Sequence, residues 1–203
     1  PGTFTNLHSL GNGGFLTLGF AVTITNGPGA DLLVAENPFR STTMPNMAFA
    51  EVAFVEVSSN GMDFARFSSR YMGTQNQPGN FDFVEIGHYS KFAGVLPVDI
   101  NASDLQDVVD AGGDAFDLSD LRNHPLVLGG KVNLAAITQV RLVDARSGID
   151  RDSRNVILRD PSSGSADINA VTVIQHTGNQ SPRGPTVEIM IPTNGRFRVT
   201  VSD

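Results

Sequence analysis

The chain has 203 residues, 13 phenylalanines and no cysteine, and its formal net charge at pH 7 is −7. This length suits a single domain, because all-β sandwiches commonly reach it. The absence of cysteine excludes disulfides, thiol catalysis and cysteine-ligated zinc, and the acidic balance argues against nucleic acid or an anionic membrane surface as a partner.

The N-terminal part of the chain predicts strands of ordinary length bounded by turn residues. Alternating apolar residues predict a strand at 15–20, which 21–25 either continues or follows with a new strand. The next strand is predicted at 31–36, where a short apolar run has a carboxylate at each end. We therefore expect buried strands joined by tight turns.

Segments 50–58 and 62–68 predict the best hairpin in the chain. Asn60-Gly61 lies between them and supplies the positive φ angles that a two-residue turn requires. Both faces of the first arm are apolar, which predicts burial on both sides.

The remaining chain continues the β pattern with a few short helical turns. Strands are predicted at 81–86, 137–144 and 168–175, and helical turns at 99–111 and 116–121. The fold predicted from these elements is an all-β jelly-roll sandwich.

A second hairpin is predicted near the C-terminus, at 186–201. The domain division is therefore a jelly-roll domain at 1–180 and a C-terminal hairpin at 181–203 that packs on the same domain. The hairpin either closes its own sheet or is donated to a neighbouring subunit, since an exposed strand edge pairs readily with another chain.

Several segments of the chain form a recognisable ordered set, namely 13–20, 26–31, 36–37, 51–61, 116–118, 137–144, 152–153, 160–161 and 167–171. This set resembles secreted bacterial cell-surface proteins of the PEP-CTERM-associated type. The stretch at 57–61 also looks like galactose-binding-like jelly rolls and carbohydrate-binding modules. The resemblance implies a secreted jelly roll with structural calcium and without an established catalytic centre.

Several acids at predicted strand ends are candidate ligands of Ca²⁺, which takes six to eight hard oxygens from carboxylates, carbonyls and water. A jelly roll can bring such groups together although they are distant in sequence. The alternative is that these acids cap turns or are solvated. The candidates are Asp31, Glu36, Asp144, Asp160 and Asp167, with Glu51 and Glu56 as further candidates.

Other motifs do not predict a catalytic or second metal site. The segment 150–161 fails the EF-hand pattern, because Asn155 stands where glycine is required and Pro161 where glutamate is required, although Asp152 could still join an irregular site. The four histidines are scattered without metal-like spacing. Neither a phosphate-binding loop nor a G-x-S-x-G elbow is present.

Aromatic residues in polar stretches are candidates for stacking on sugars, namely Tyr71, Tyr89 and Phe92. The chain has no tryptophan and only two tyrosines, which is a poor supply for a glycan platform. Most phenylalanines alternate within strands and are predicted to be core residues.

The expected function is a non-catalytic, extracellular or cell-surface, structural or adhesive domain that is stabilised by Ca²⁺ and self-assembles. The alternatives are a carbohydrate-binding module and, third, a polysaccharide-active enzyme. The expected partners are a second copy of the chain or a surface glycan, and no particular ligand is identified. No apolar run is long enough to span a membrane, and the start at Pro1 without a signal region is typical of a mature product.

Overall fold

A computed structural model describes residues 7–97, 112–161 and 164–177, together with the backbone of strands at 186–190 and 197–202. The 3₁₀ turns span Ile86–His88 and Leu118–Leu121, and one helical turn spans Pro125–Leu128. The strands are β1 (His8–Ser9), β2 (Phe15–Ile24), β3 (Leu32–Glu36), β4 (Phe39–Arg40), β5 (Met47–Phe49), β6 (Ala53–Ser58), β7 (Ala65–Arg66), β8 (Arg70–Tyr71), β9 (Val84–Glu85), β10 (Tyr89–Ser90), β11 (Asp114–Phe116), β12 (Ile137–Asp144), β13 (Asp167–Val173), β14 (His176–Thr177), β15 (Thr186–Met190) and β16 (Phe197–Ser202).

Eight of these strands form the two sheets of a sandwich. One sheet has the order β1-β13-β3-β11, and the other contains β2-β12-β6-β7. The antiparallel pairs are nested along the chain, with β6–β7 inside β3–β11, then β2–β12, then β1–β13. A long hairpin rolled up on itself gives this nesting, which is the topology of a jelly roll. The predicted all-β sandwich is confirmed.

The central strand β6 is buried on both faces, as its sequence predicts. Val55 and Val57 point into the core between the two sheets, whereas Phe54 points to the opposite face. There Phe54 packs on Phe92 with ring centroids 5.3 Å apart. The second core lies beneath the small sheets β4-β5-β9 and β8-β10, which therefore cover the outer face of β6.

The turn of the central hairpin differs from the prediction. Gly61 has a positive φ of 76°, but Asn60 does not, so the two residues do not form the predicted two-residue turn. Instead the Asn60 side chain accepts hydrogen bonds from the backbone N–H groups of Met62 and Asp63, both at 2.9 Å. The strands are joined by a longer loop because this side chain replaces the missing ladder contacts.

Other predicted elements are shortened or fall outside the described residues. The strand predicted at 81–86 is limited to Val84–Glu85, since a 3₁₀ turn begins at Ile86. The helical turn predicted at 116–121 is confirmed by the 3₁₀ turn at Leu118–Leu121, which Asp117 caps by accepting from Ser119 N at 2.8 Å. The turn predicted at 99–111 lies outside the described residues.

The C-terminal hairpin is formed by β15 and β16, which pair antiparallel as predicted. Strand β16 also pairs in parallel with β2, the strand at the edge of the β2-β12-β6-β7 sheet. The hairpin therefore extends that sheet beyond the eight strands of the jelly roll.

Candidate metal centre

Four of the five predicted ligands, together with the further candidate Glu51, gather at one rim of the sandwich because of strand direction, and we call this group the acidic rim. Strands β3 and β12 end there, at Glu36 and Asp144. Their antiparallel neighbours begin there, so that Asp167 opens β13 and Glu51 precedes β6. Asp160 lies in the loop between β12 and β13. The backbone N–H of Val52, just before β6, donates a hydrogen bond to Asp160 Oδ2 at 3.2 Å and holds this acid at the rim. Antiparallel pairing thus brings together residues that are far apart in sequence.

Glu36 continues the core-facing side of β3, since it follows the buried Leu32 and Val34 at alternate positions. Its side chain is 1% exposed. Oε1 accepts a hydrogen bond from the backbone N–H of Asp167 at 2.8 Å, whereas Oε2 is buried without a hydrogen-bond partner. A buried carboxylate oxygen in this situation requires a proton, a bound water molecule or a cation.

The electrostatic environment of Glu36 also makes its charged form unfavourable. Burial, followed by repulsion from the carboxylates of Glu51, Asp167 and Asp114, raises the pKa of Glu36 to about 9. Burial also raises the pKa of Glu51 to about 7, with further repulsion from Asp167 and Asp144. The rim therefore holds several acids that destabilise one another when they are all charged.

Asp160 is the second acid with an unused oxygen. It is 4% exposed, and its Oδ1 is buried without a hydrogen-bond partner. Burial and repulsion from Asp144 and Glu51 raise the pKa of Asp160 to about 7. A cavity of about 110 Å³ is lined by Glu51, Asp144 and Asp160. Three carboxylates therefore face one small space.

Asp144 is held in place by the backbone at the mouth of this cavity. Its Oδ2 accepts from Gly13 N at 2.7 Å and its Oδ1 from Ala166 N at 3.0 Å. Burial raises the pKa of Asp144 despite these bonds. Each carboxylate oxygen retains a lone pair after one hydrogen bond, so Asp144 is fixed in position yet still able to bind a cation.

No arginine or lysine in the described part of the chain forms an ion pair with Glu36, Glu51 or Asp160. Arg146 lines the cavity, but its guanidinium is bound to Asp150, with Nη2 2.9 Å from Oδ1. Glu36, Glu51 and Asp160 are therefore not neutralised by basic side chains of the described residues, whereas Asp144 feels the positive charge of Arg146.

The rim is not a ready-made coordination sphere. Across 7–97, 112–161 and 164–177, no three acidic or histidine side chains are arranged as metal ligands. Several of these carboxylates would have to rotate towards a common point to bind one ion.

Two residues that sequence reasoning missed also belong to this rim. A Cβ on Gly164 would collide with the carboxylate of Glu51, so only glycine permits this close approach. Asn169 lies at a bulge of β13 opposite Ala35 and Glu36, and its buried Oδ1 has no hydrogen-bond partner. Neither residue carries a charge that would mark it in the sequence.

Asp31 does not lie with the other four predicted ligands. It precedes β3, whereas Glu36 ends that strand, so the two acids lie at opposite rims. Asp31 is fully buried, and both of its oxygens accept at 2.7 Å, Oδ1 from Gly27 N and Oδ2 from Leu118 N. It joins two loops to the start of β3.

The other acidic candidates have structural partners. Glu56 lies on the outer face of β6, where Arg66 pairs with its Oε1 at 2.7 Å and Arg141 with its Oε2 at 2.5 Å. Asp152 is 6% exposed and accepts from the backbone of Tyr71, at 2.9 Å, and of Val156. Both acids are therefore engaged away from the acidic rim.

The aromatic candidates for sugar stacking are core residues. Tyr71 is 4% exposed, Tyr89 7% and Phe92 1%. The small sheets over β6 cover them, a tertiary effect that polar sequence neighbours conceal. Sequence reasoning missed the exposed rings, Phe39 and Phe81 among them, because their alternation resembles that of buried strands.

Comparison with family models, with curated proteins and with solved structures found no match. The resemblance to secreted cell-surface proteins therefore stays a prediction. In the described residues, no helix has the length and apolar character needed to cross a membrane.

Proposed function

We propose that this chain is a non-catalytic, extracellular β-sandwich domain that binds Ca²⁺ at the acidic rim and serves as a structural or adhesive component of the cell surface. The observation that carries the proposal is the pair of buried, unpartnered oxygens on Glu36 and Asp160. They lie among carboxylates that have no basic partner in the described chain.

The donor set suits calcium better than other common metals. The rim offers carboxylate oxygens from Glu36, Glu51, Asp144, Asp160 and Asp167. Ca²⁺ accepts such oxygens in irregular geometry, whereas Mg²⁺ requires a near-ideal octahedron. Zinc prefers nitrogen and sulfur donors, whereas the chain has no cysteine and the residues that line the cavity of the rim include no histidine.

Calcium binding at this rim would join both sheets of the sandwich. Glu36 and Asp167 belong to one sheet, and Asp144 belongs to the other. A bound ion would therefore tie the two sheets together at this end. Outside the cell, where calcium exceeds the dissociation constant of a micromolar site by 100-fold or more, linkage would add roughly 2.7–4 kcal/mol of stability.

The proposal predicts a calcium-dependent thermal stability. Removing calcium with EDTA should lower the melting temperature by several degrees, measured by calorimetry, and readdition of calcium should restore it. Calorimetric titration of the metal-free protein with CaCl₂ should give saturable binding. Absence of both a melting shift and binding heat would contradict the calcium assignment.

Self-assembly is proposed on the topology of β2. Its outer edge pairs with β16 of the same chain, and the same edge can accept the equivalent hairpin of a neighbour. A truncation after residue 180 should leave a folded domain that no longer forms concentration-dependent assemblies in light scattering. Loss of folding would instead mean that the hairpin closes its own domain.

A second candidate function is carbohydrate binding. The observation that favours it is a cavity of about 590 Å³ beside exposed aromatic rings, on the outer layer of the fold. Its lining does not include the acids of the rim.

A further inference from the structure

Phe81 and Phe83 line the cavity beside the sheet β4-β5-β9, and both rings contact further phenylalanines outside its lining. Phe49 stacks on Phe39 with centroids 5.0 Å apart and on Phe81 with centroids 6.3 Å apart. Phe83 meets Phe39 edge to face at 5.8 Å. Phe39 is 55% exposed and Phe81 77%. We call the cavity with these rings the aromatic groove.

The floor of the aromatic groove is rigid. Tyr71 and Tyr89 lie there with ring centroids 5.2 Å apart, and both are buried. The Tyr71 hydroxyl donates to the carbonyl of Thr74 at 2.8 Å, and the Tyr89 hydroxyl donates to the carbonyl of Arg159. Their polar atoms are thus satisfied within the protein, which leaves the groove preformed.

The wall formed by residues 74–82 is anchored to the rest of the domain. Gln77 Nε2 donates to the carbonyl of Asp160 and to Ser147 Oγ, both at 2.9 Å, while Gln77 Oε1 accepts from Arg159. Asp82 closes the end of the loop by accepting from Gly79 N at 2.7 Å. A wall fixed in this way loses little entropy when a ligand binds.

The charges of the groove exclude anionic ligands. Its lining residues include Asp82, Glu85 and His88 but neither lysine nor arginine. Glu85 is paired with His88 at 3.3 Å, and one oxygen of Asp82 is used in its own loop. The groove therefore repels acidic polymers and offers only weak attraction to a cation.

A peptide is a poor occupant as well. The outer strands of this sheet, β4 and β9, have two residues each, so an added peptide strand would gain few main-chain hydrogen bonds. A sugar needs flat apolar faces for its C–H groups and nearby acceptors for its hydroxyls. Phe81 and Phe83 supply the faces, and Asn76, Asp82 and Glu85 supply the acceptors.

We infer that the aromatic groove binds a neutral polysaccharide, with Phe81 as its principal stacking contact. This inference rests on the second candidate function and assigns its site and ligand class. The groove and the acidic rim have different lining residues, although Gln77 bonds the wall of the groove to the carbonyl of Asp160.

Affinity electrophoresis of the full chain in calcium-containing buffer tests the inference. The probes are neutral polymers with different backbones, namely hydroxyethylcellulose, galactomannan, dextran and xylan, with alginate as the acidic probe and polylysine as the cationic one. At least one neutral polymer should retard the wild type, and alginate should not. Retardation by polylysine alone, or by no polymer, would overturn both the inference and the carbohydrate-binding function.

Phe81→Ala should weaken the binding of the retarding polymer about tenfold, because an exposed aromatic contact is lost. Met62→Ala is the matched control, since Met62 is 81% exposed and does not line the groove. Both variants should melt like the wild type. Unchanged binding by Phe81→Ala would overturn the groove as the site while leaving carbohydrate binding itself in place.

Discussion

The two ends of β3 carry buried carboxylates that have opposite surroundings. Asp31, before the strand, has both oxygens satisfied by backbone N–H groups of Gly27 and Leu118. Glu36, at the end, has one oxygen bound to Asp167 N and one oxygen unpartnered. Equal burial therefore does not mean equal function. A carboxylate with both oxygens hydrogen-bonded holds loops in place, whereas a carboxylate with one unpartnered oxygen among other acids favours the binding of a cation.

The largest loss of stability is expected from substitution of Asp31, whose carboxylate oxygens are both hydrogen-bonded. Asp31→Ala leaves the N–H groups of Gly27 and Leu118 without their acceptor in a buried site, which should cost about 4 kcal/mol of unfolding free energy. Urea denaturation with and without calcium measures it. The calcium-induced gain in stability should persist in the variant. If Asp31→Ala abolished the calcium-induced gain in stability, Asp31 and Glu36 would not differ in their role in calcium binding.

The next effect is a dependence of stability on pH that is caused by Glu36, the carboxylate with an unpartnered oxygen. The pKa of Glu36 is raised from 4.5 to about 9, so its protonated form stabilises the metal-free fold fully below about pH 4.5, and this stability is lost as the pH rises through 9. In EDTA, the unfolding free energy should fall on the order of 3 kcal/mol between pH 6 and 8. Denaturation at several pH values measures this dependence.

Glu36→Gln is the control for that pH dependence. Glutamine keeps the shape of the side chain but cannot ionise, so the fall with pH in EDTA should be shallower and the calcium response weaker. Calcium should also oppose the fall in the wild type, because it stabilises the charged carboxylates. A wild-type pH profile that Glu36→Gln leaves unchanged would show that Glu36 is not the group responsible.

The smallest effect is expected at Gly164. A Cβ there would collide with the Glu51 carboxylate, so Gly164→Ala should displace Glu51 and weaken calcium binding about tenfold, or about 1.4 kcal/mol. Gly87→Ala is the matched control, since its Cβ would have no atom within 4 Å. Calorimetric titration of both variants measures the difference. Equal affinities would exclude Glu51 from the site.

The strands were predictable where hydrophobic periodicity is strong. The strand at Ile137–Asp144 and the burial of β6 on both faces follow directly from their apolar pattern. The turn at Asn60 and Gly61 was not, because the Asn60 side chain replaces backbone hydrogen bonds that a sequence pattern cannot foresee. Local side-chain bonding competes with the standard turn geometry there.

The acidic rim was predictable only in part. The position of a carboxylate at a strand end correctly predicts Glu36 and Asp144 as candidates. The same criterion also predicts Asp31, which lies at the opposite rim in the fold. Strand direction decides this, since a strand about five residues long separates its two ends by roughly 17 Å. Gly164 and Asn169 carry no sequence signal, because their contribution depends on close approach and on a bulge.

Side-chain periodicity and turn chemistry act over a few neighbouring residues, so they predict that the chain is β-rich, where its longer strands lie and that acids stand at strand ends. Only the tertiary structure decided which acids share a rim, which of their oxygens lack a partner, and which aromatic rings reach the surface. These properties arise from the antiparallel nesting of distant strands, and solvent exposure depends on what packs above a residue rather than on its sequence neighbours.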